Sequence, residues 1–487
     1  MKRFTILLSL LMLVLVACSS NVADITILHW NDFHAHNISW VPTNYNPEGH
    51  MVGGYAVLDA YLDSLEKVYP GALKVNAGDD FQGSPISSMT KGYSQIEILN
   101  KVKPDFFTLG NHEFDYGWKN LDSLRRNEAK FMMYSANLLD SESGETVTPE
   151  FRIFKRDGYT FALIGITTPY LDELTIPKNL EGLKLADPAE TVKNVMKKLE
   201  SRNIDLFIVV SHMGIGLDKK LAREVPEIDL IVGGHSHTYL REAVNENGVW
   251  IVQANAHGRY IGVTSFHVEK GEITELEMDY VETVTNKIRP SKDIAEIVMR
   301  QEAALVEVMD EIIGQLETPW TRRGLETNLG NWIADAFRHK TRVDVAMMNN
   351  GGIRKDLAAG DIKVRDIWEI SPFGNTLVTF EWTGKELWDA MDKMTKSGRS
   401  MQVSGIQMTF KKDKGLISAK VAGKNIDPDR VYTICMNNYS ASQGEKYFGT
   451  KIDDVLETGL IDRDVLLEEV RRNPNINSKV EGRLIIQ

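Results

Sequence analysis

The chain predicts a layered α/β fold in two unequal domains, and three patterns carry that reading. Five apolar, strand-like runs in the first half each stop at residues of metal-binding type, helical stretches alternate with those runs, and a second series of helices and strands follows Pro290. Buried parallel strands read as continuous apolar runs because helices cover both faces of their sheet. In open α/β sheets, ligands bind outside the carboxyl ends of the strands. The runs lead to Asp32 and His34, to Asp79, to Asn111, His112 and Asp115, to His212, and to His235 and His237. One strand ending in histidine would mean little. Five in succession describe a metal cup.

Taken in order, residues 1–18 come first, with Lys2 and Arg3, an apolar stretch too short to span a bilayer comfortably, and then Leu15-Val16-Ala17-Cys18. Leu-x-Ala-Cys resembles a bacterial lipobox. It implies an exported bacterial lipoprotein, cleaved before Cys18 and anchored in a membrane by a lipid on that sulfur, periplasmic or on the cell surface. Ser19-Ser20-Asn21 would be the tether. The first domain is expected over residues 22–286, with helices at 56–68 and 188–202 between apolar runs and a β-rich end that turns at Glu269-Lys270-Gly271. A long linker helix is expected over 287–314. Ser291 would cap it, Ile294, Val298, Leu305, Val308, Met309 and Ile312 recur at helical spacing, and Gly314 would stop it. The second, smaller α/β domain is expected over 315–487, with helices in NLGNWIADAFRHK and GKELWDAMDKMTK and strands in VDVAMMNN, TLVTFEW and VYTICMNN.

Composition narrows the function. Of 487 residues, 43% are apolar and 25% charged, ordinary for a globular protein, and the net charge is −12. No basic stripe offsets that charge, which argues against a nucleic-acid polymer as partner. A single nucleotide held by metals and a few arginines stays open. There are two cysteines. With Cys18 lipidated, Cys435 has no partner, so no disulfide framework is expected and Cys435 reads as a small core residue.

A two-metal hydrolase needs a bridging carboxylate and neutral N or O ligands around two ions. Asp32 and His34 stand two apart at a strand end, so both should leave the same face, and His235 and His237 repeat the pattern. Asp79, after Gly78, is the best candidate for the bridge. Asn111 offers a carbonyl oxygen and His212 an imidazole. His36 and His257 are candidates for groups behind the ligands. Imidazole and carboxylate without thiolate suit Zn, Mn, Fe or Co.

These motifs, Asp32-x-His34, Gly78-Asp79, Gly110-Asn111-His112-Glu113, His212 and Gly234-His235-x-His237, resemble the calcineurin-like metallophosphoesterases. The resemblance implies an α/β-β/α sandwich with Asp32, His34, Asp79 and His237 around one divalent ion and Asp79, Asn111, His212 and His235 around a second. It also places His112 beside the substrate phosphate, oriented by Asp115. In the second half, Asn349-Asn350-Gly351-Gly352-Ile353-Arg354, Pro372-Phe373-Gly374-Asn375 and Asn437-Asn438-Tyr439 resemble the C-terminal domain of bacterial 5′-nucleotidases, the UDP-sugar hydrolases included. That resemblance implies a base held between Phe373 and Tyr439, with Arg354, Arg323 and Asn375 as further substrate contacts.

Two departures stand out. Gln443-Gly444-Glu445-Lys446 replaces the usual Gly-Gly-Asp-Gly, leaving Glu445 as a longer substitute for a ribose-contacting aspartate, and Pro319 stands where an arginine is usual. The expected activity is release of phosphate from nucleoside 5′-monophosphates, extending to UDP-sugars. The alternatives are a 2′,3′-cyclic nucleotide phosphodiesterase / 3′-nucleotidase, sulfur-compound hydrolysis on the same scaffold, and a lipoprotein that binds nucleosides without turnover.

Overall fold

The computed structural model describes residues 22–42, 49–156, 158–398, 401–412, 414–452 and 455–487. The leader and Cys18 lie outside the described residues.

In the first domain the apolar runs assemble into two six-stranded sheets packed face to face. In one, Val22–Trp30, Leu73–Asn76, Phe106–Thr108 and Met133–Tyr134 run parallel, and the hairpin Tyr260–Glu269/Glu272–Glu282 adds antiparallel strands at the edge. In the other, Tyr159–Thr167, Leu206–His212, Leu230–Gly233 and Val249–Val252 form the parallel centre. The alternation of side chains along Val22–Trp30 explains the stacking. Ile25 and Ile27 face the opposite sheet and pack with Phe161, Ile208 and Val232. Leu28 and Trp30 face the helices and pack with Leu58, Leu62 and Ile96. Helices therefore cover only one face of each sheet, and the second sheet covers the other. An apolar run is the same either way, which is why the sequence suggested helices on both sides.

The linker departs from expectation. Helix Lys292–Ala303 ends early, one short turn follows at Val306–Met309, and Ile312–Leu316 is a strand between Gly360–Lys363 and Asn475–Ile476. The cause is a change of core. Ile294 and Val298 pack into the first domain, whereas Leu305 and Met309 pack into the second. Gly314 is no helix stop: a Cβ there would meet Val470 Cγ1 at 2.7 Å and the Pro474 carbonyl at 2.9 Å, so it lets strand and helix approach.

The second domain is built on a five-stranded mixed sheet ordered Met401–Ser404, Val345–Asn349, Val431–Asn437, Thr376–Thr383 and Leu456–Ile461. Helix Asn328–Thr341 covers one face, opened by Thr327, whose Oγ1 accepts the Gly330 N–H at 3.0 Å. Helix Gly384–Lys396 covers the other, and Cys435 is fully buried in the core.

Candidate metal centre and interdomain cleft

All seven candidate ligands meet at one edge of the sandwich, where the parallel strands of both sheets end. Asp32 and His34 lie beyond the end of their strand, and so do His235 and His237, so strand periodicity does not aim them. Their backbones do: φ is 51° at Asp32 and His34, 62° at Asp79, 74° at His235 and 51° at His237. Such left-handed conformations are uncommon outside glycine and gather at functional sites. They turn each loop back over the sheet edge. His212 ends its own strand and sits in a slot that only glycines permit, since a Cβ on Gly78 or Gly234 would come within 2.9 Å of its Nδ1.

The donor set fits a cation. His34 Nε2 and His237 Nε2 face each other at 3.0 Å, and His237 Nε2 lies 3.3 Å from Asp32 Oδ1. His212 Nδ1 donates to the Ala77 carbonyl at 2.5 Å, which leaves Nε2 as the free donor atom, 3.0 Å from Asp79 Oδ2 yet without an aligned hydrogen bond. His235 Nδ1 lies 2.8 Å from Asn111 Oδ1. Asp79, His212 and His235 each offer an atom within 4.8 Å of the others. Burial alone would raise the carboxyl pKa values of Asp32 and Asp79, but the imidazoles around them, His237 and His212 for Asp32 and His212 and His112 for Asp79, outweigh it and hold both low. Burial would likewise lower His212, yet the Asp79 and Asp32 carboxylates push it up to about 10. Without a metal ion, a proton on His212 thus offsets one of the two carboxylate charges, at a ring whose Nε2 a metal ion would take.

His112 belongs to the same loop. Its backbone N–H donates to Asp79 Oδ1 at 2.8 Å, and its Nδ1 pairs with Asp115 Oδ2 at 2.8 Å. Burial would lower the His112 pKa, but Asp115 and then Asp79 outweigh it and raise it. Asn179 Nδ2 in turn donates to the Asp115 carbonyl at 2.8 Å. His112→Asn is expected to lower kcat by roughly 10²–10³-fold, the range for a group meeting charge in a transition state. Asp115→Asn should cost less, and the double variant no more than His112→Asn. Steady-state kinetics on all three checks this, and additive losses would disprove the pairing.

A cleft of about 640 Å³ opens over these residues and is walled by both domains. Asp79, Asn111, His112, Asp115, His235 and His237 line one side, with Arg354, Phe373, Asn375 and Tyr439 across from them. The rings of Phe373 and His112 lie 5.7 Å apart, and the Arg354 guanidinium is 5.7 Å from the Phe373 ring. Asp32, His34 and His212 sit beneath the cleft floor, fully or nearly buried. The domains are held together at the rim. Tyr439 Oη donates to the Glu173 carbonyl at 2.9 Å, Lys446 Nζ pairs with Glu173 Oε2 at 3.0 Å, and Gln443 Nε2 donates to the Asp172 carbonyl at 3.1 Å.

Two residues singled out in the sequence lie away from the cleft lining. Arg323 is exposed and outside the cleft. Its neighbour Arg322 turns inward, with Nη1 3.5 Å from the Ile353 carbonyl, and its charge adds to burial, the larger cause, in lowering the Arg354 pKa. Glu445 is also exposed. The segment around it is spent on the domain contact, and Tyr447 reaches the cleft instead. Sequence reasoning missed Glu113, whose carboxylate accepts N–H groups from Asp79, Asp80, Phe81 and Gly110, and Asn31, which donates to Asp32 Oδ2 at 2.5 Å. Asn31 adjoins the ligand Asp32 and Glu113 adjoins His112 in sequence, and that adjacency was the available signal. Thr175 and Asn179, in an irregular stretch, gave none.

The same two-part arrangement recurs in known proteins. Residues 25–239 match the calcineurin-like phosphoesterase family, and residues 312–452 match the 5′-nucleotidase C-terminal domain. In both halves the chain is similar to the 5′-nucleotidases. It is 29% identical to a 5′-nucleotidase of Vibrio vulnificus, with 93% of this chain and 91% of the relative covered. It is 28% identical to protein UshA of Escherichia coli, covering 94% and 92%. Its fold matches the crystal structure of a 5′-nucleotidase precursor from Thermus thermophilus with a TM-score of 0.86 and 26% identity, over 95% of this chain and 99% of that one. Like the phosphoesterases it matches, this chain is a metal-dependent phosphoric ester hydrolase.

Proposed function

We propose that this chain hydrolyses nucleoside 5′-monophosphates to nucleosides and phosphate, and that it also accepts UDP-sugars. One observation carries the reading: metal-ligand residues of one domain and aromatic residues of the other face a single cleft large enough for a nucleotide. Two divalent ions, of Zn, Mn or Co, would be held by Asp32, His34, Asp79 and His237 and by Asp79, Asn111, His212 and His235. When bound, they supply Lewis-acid polarisation of the phosphate ester and acidify an attacking water. His112, oriented by Asp115, stabilises charge on the phosphate and carries a proton for the leaving oxygen. Arg354 adds fixed positive charge, and burial of its guanidinium strengthens that effect. Phe373 and Tyr439 take the base, and Asn375 contacts its edge.

The test is phosphate release by the full chain from AMP, UDP-glucose and 2′,3′-cAMP with Mn²⁺, Zn²⁺ or Co²⁺. AMP is expected to turn over, and chelation to abolish it. Cleavage of 2′,3′-cAMP with AMP left intact would establish the cyclic phosphodiesterase reading instead. Phe373→Ala is expected to raise KM for AMP by roughly 5–150-fold, since a base–aromatic contact is worth about 1–3 kcal/mol. An aryl phosphate without a base should be unaffected, and equal losses on both substrates would remove Phe373 from base binding.

The leader supports export and anchorage through a lipid on Cys18, facing the periplasm or the cell surface. Cys18→Ser is expected to move the protein from the detergent-soluble membrane fraction to the aqueous fraction. Retention in the membrane would rule out the lipid anchor.

A further inference from the structure

The residues behind the cup include an imidazole that the ligand assignment leaves unused. His257 lies in the turn between strands Val249–Val252 and Tyr260–Glu269. Its backbone is tied to the ligand loops: its N–H donates to the Asp32 carbonyl at 2.8 Å, and its own carbonyl accepts Trp40 Nε1 at 3.3 Å. Like five of the candidate ligands it is left-handed, with φ 60°. Its ring centroid is 5.6 Å from that of His34 and 5.5 Å from that of His237, close to the 5.0 Å between those two. His34, His237 and His257 each present a ring nitrogen within 4.8 Å of the other two. The ring nitrogens of His257 form no hydrogen bond with any described residue. On its far side the His36 ring packs at 4.2 Å and limits its rotation.

We propose that His257 is a further ligand of the ion assigned to Asp32, His34, Asp79 and His237, so that this ion meets three imidazoles. The inference rests on the metal reading given under Proposed function. A simple packing role for His257 would require neither a shared nitrogen focus nor a backbone fastened to the loop of Asp32. Three imidazoles bias a site toward ions that favour nitrogen, such as Zn²⁺ or Co²⁺, over Mn²⁺. The two ions would therefore differ in character. One has an asparagine oxygen in its shell, and the other has a third ring nitrogen.

The experiment uses the full-length protein, stripped with chelator and titrated with Co²⁺, with bound metal counted by elemental analysis and the d–d absorption recorded. Two variants are compared with wild type. His257→Asn suits the left-handed backbone, because asparagine tolerates that conformation. His257→Phe keeps a ring over His36 but has no donor atom. In both, one ion is expected to bind as in wild type and the other at least about tenfold more weakly, with an altered d–d spectrum. Preference for Zn²⁺ over Mn²⁺ at the weakened site should fall by a similar factor.

Wild-type affinity and spectrum for both ions in either folded variant would overturn the inference, and so would equal loosening of both ions. If wild type itself takes up no metal, the proposed function fails first and this inference falls with it. The three outcomes are distinguishable because the wild-type titration is read separately.

Discussion

Asp79→Asn is expected to reduce turnover by roughly 10³-fold or more, beyond the ~10–100-fold typical of groups behind metal ligands. Asp79 Oδ2 faces both groups of imidazoles, 3.0 Å from His212 Nε2 and 4.0 Å from His34 Nε2. Its other oxygen accepts the His112 backbone N–H. An asparagine fits the space but would bring no negative charge to a bound metal. The loss should therefore appear in metal binding as well as in rate. A ligand present at about 1,000 times its Kd stabilises a fold by about 4 kcal/mol. Wild type should melt several degrees higher with metal than with chelator, and Asp79→Asn should lose most of that gap. A variant that kept both turnover and the metal-dependent rise in Tm would refute the role of Asp79.

Glu113→Ala should give the largest loss of stability at the site. Glu113 is fully buried, and its two oxygens accept backbone N–H groups from Asp79 at 3.0 Å, Asp80 at 2.8 Å, Phe81 at 3.2 Å and Gly110 at 2.7 Å. Four donors from two loops thus converge on one side chain. Removing the acceptor leaves buried N–H groups unpaired, at about 1–3 kcal/mol each before water enters the cavity. A net loss of about 3–5 kcal/mol follows, which for a domain of this size lowers Tm by roughly 6–20 °C. Glu113→Gln should fall between, because one oxygen still accepts while the amide opposes the remaining donors. Thermal unfolding of the metal-free protein is the measurement. An unchanged Tm in the alanine variant would mean that the loops hold without this clamp.

Much of the centre was legible because each ligand ends an apolar run, and a run that long can only be buried. Asp32, Asp79, Asn111, His212 and His235 were placed by that logic, and the structure brings all of them to one edge of the two-sheet sandwich. Less was legible where backbone geometry decides. Arg322 and Arg323 are adjacent, and only the irregular path from Trp320 to Leu325 turns the first inward. Periodicity read residues 287–314 as one helix because Leu305 and Met309 continue the spacing of Ile294 and Val298. Spacing cannot reveal that the two pairs enter different cores. Likewise, no motif announced that Gln443 and Lys446 fasten one domain to the other.

The point where the chain changes cores also bears on how this protein can be taken apart. Upstream of Ala304 every buried side chain of the connecting helix belongs to one nucleus, and from Leu305 onward to another. Ending a fragment at residue 286 would strip the sandwich of Ile294 and Val298 and leave Leu58 and Ile96 facing water. A break or an inserted spacer at residue 304 keeps Ile294 and Val298 with the first nucleus and Leu305 and Met309 with the second, which gives up only Ile86 of the first domain. That is where the halves should be produced separately and mixed to ask whether they find each other unaided.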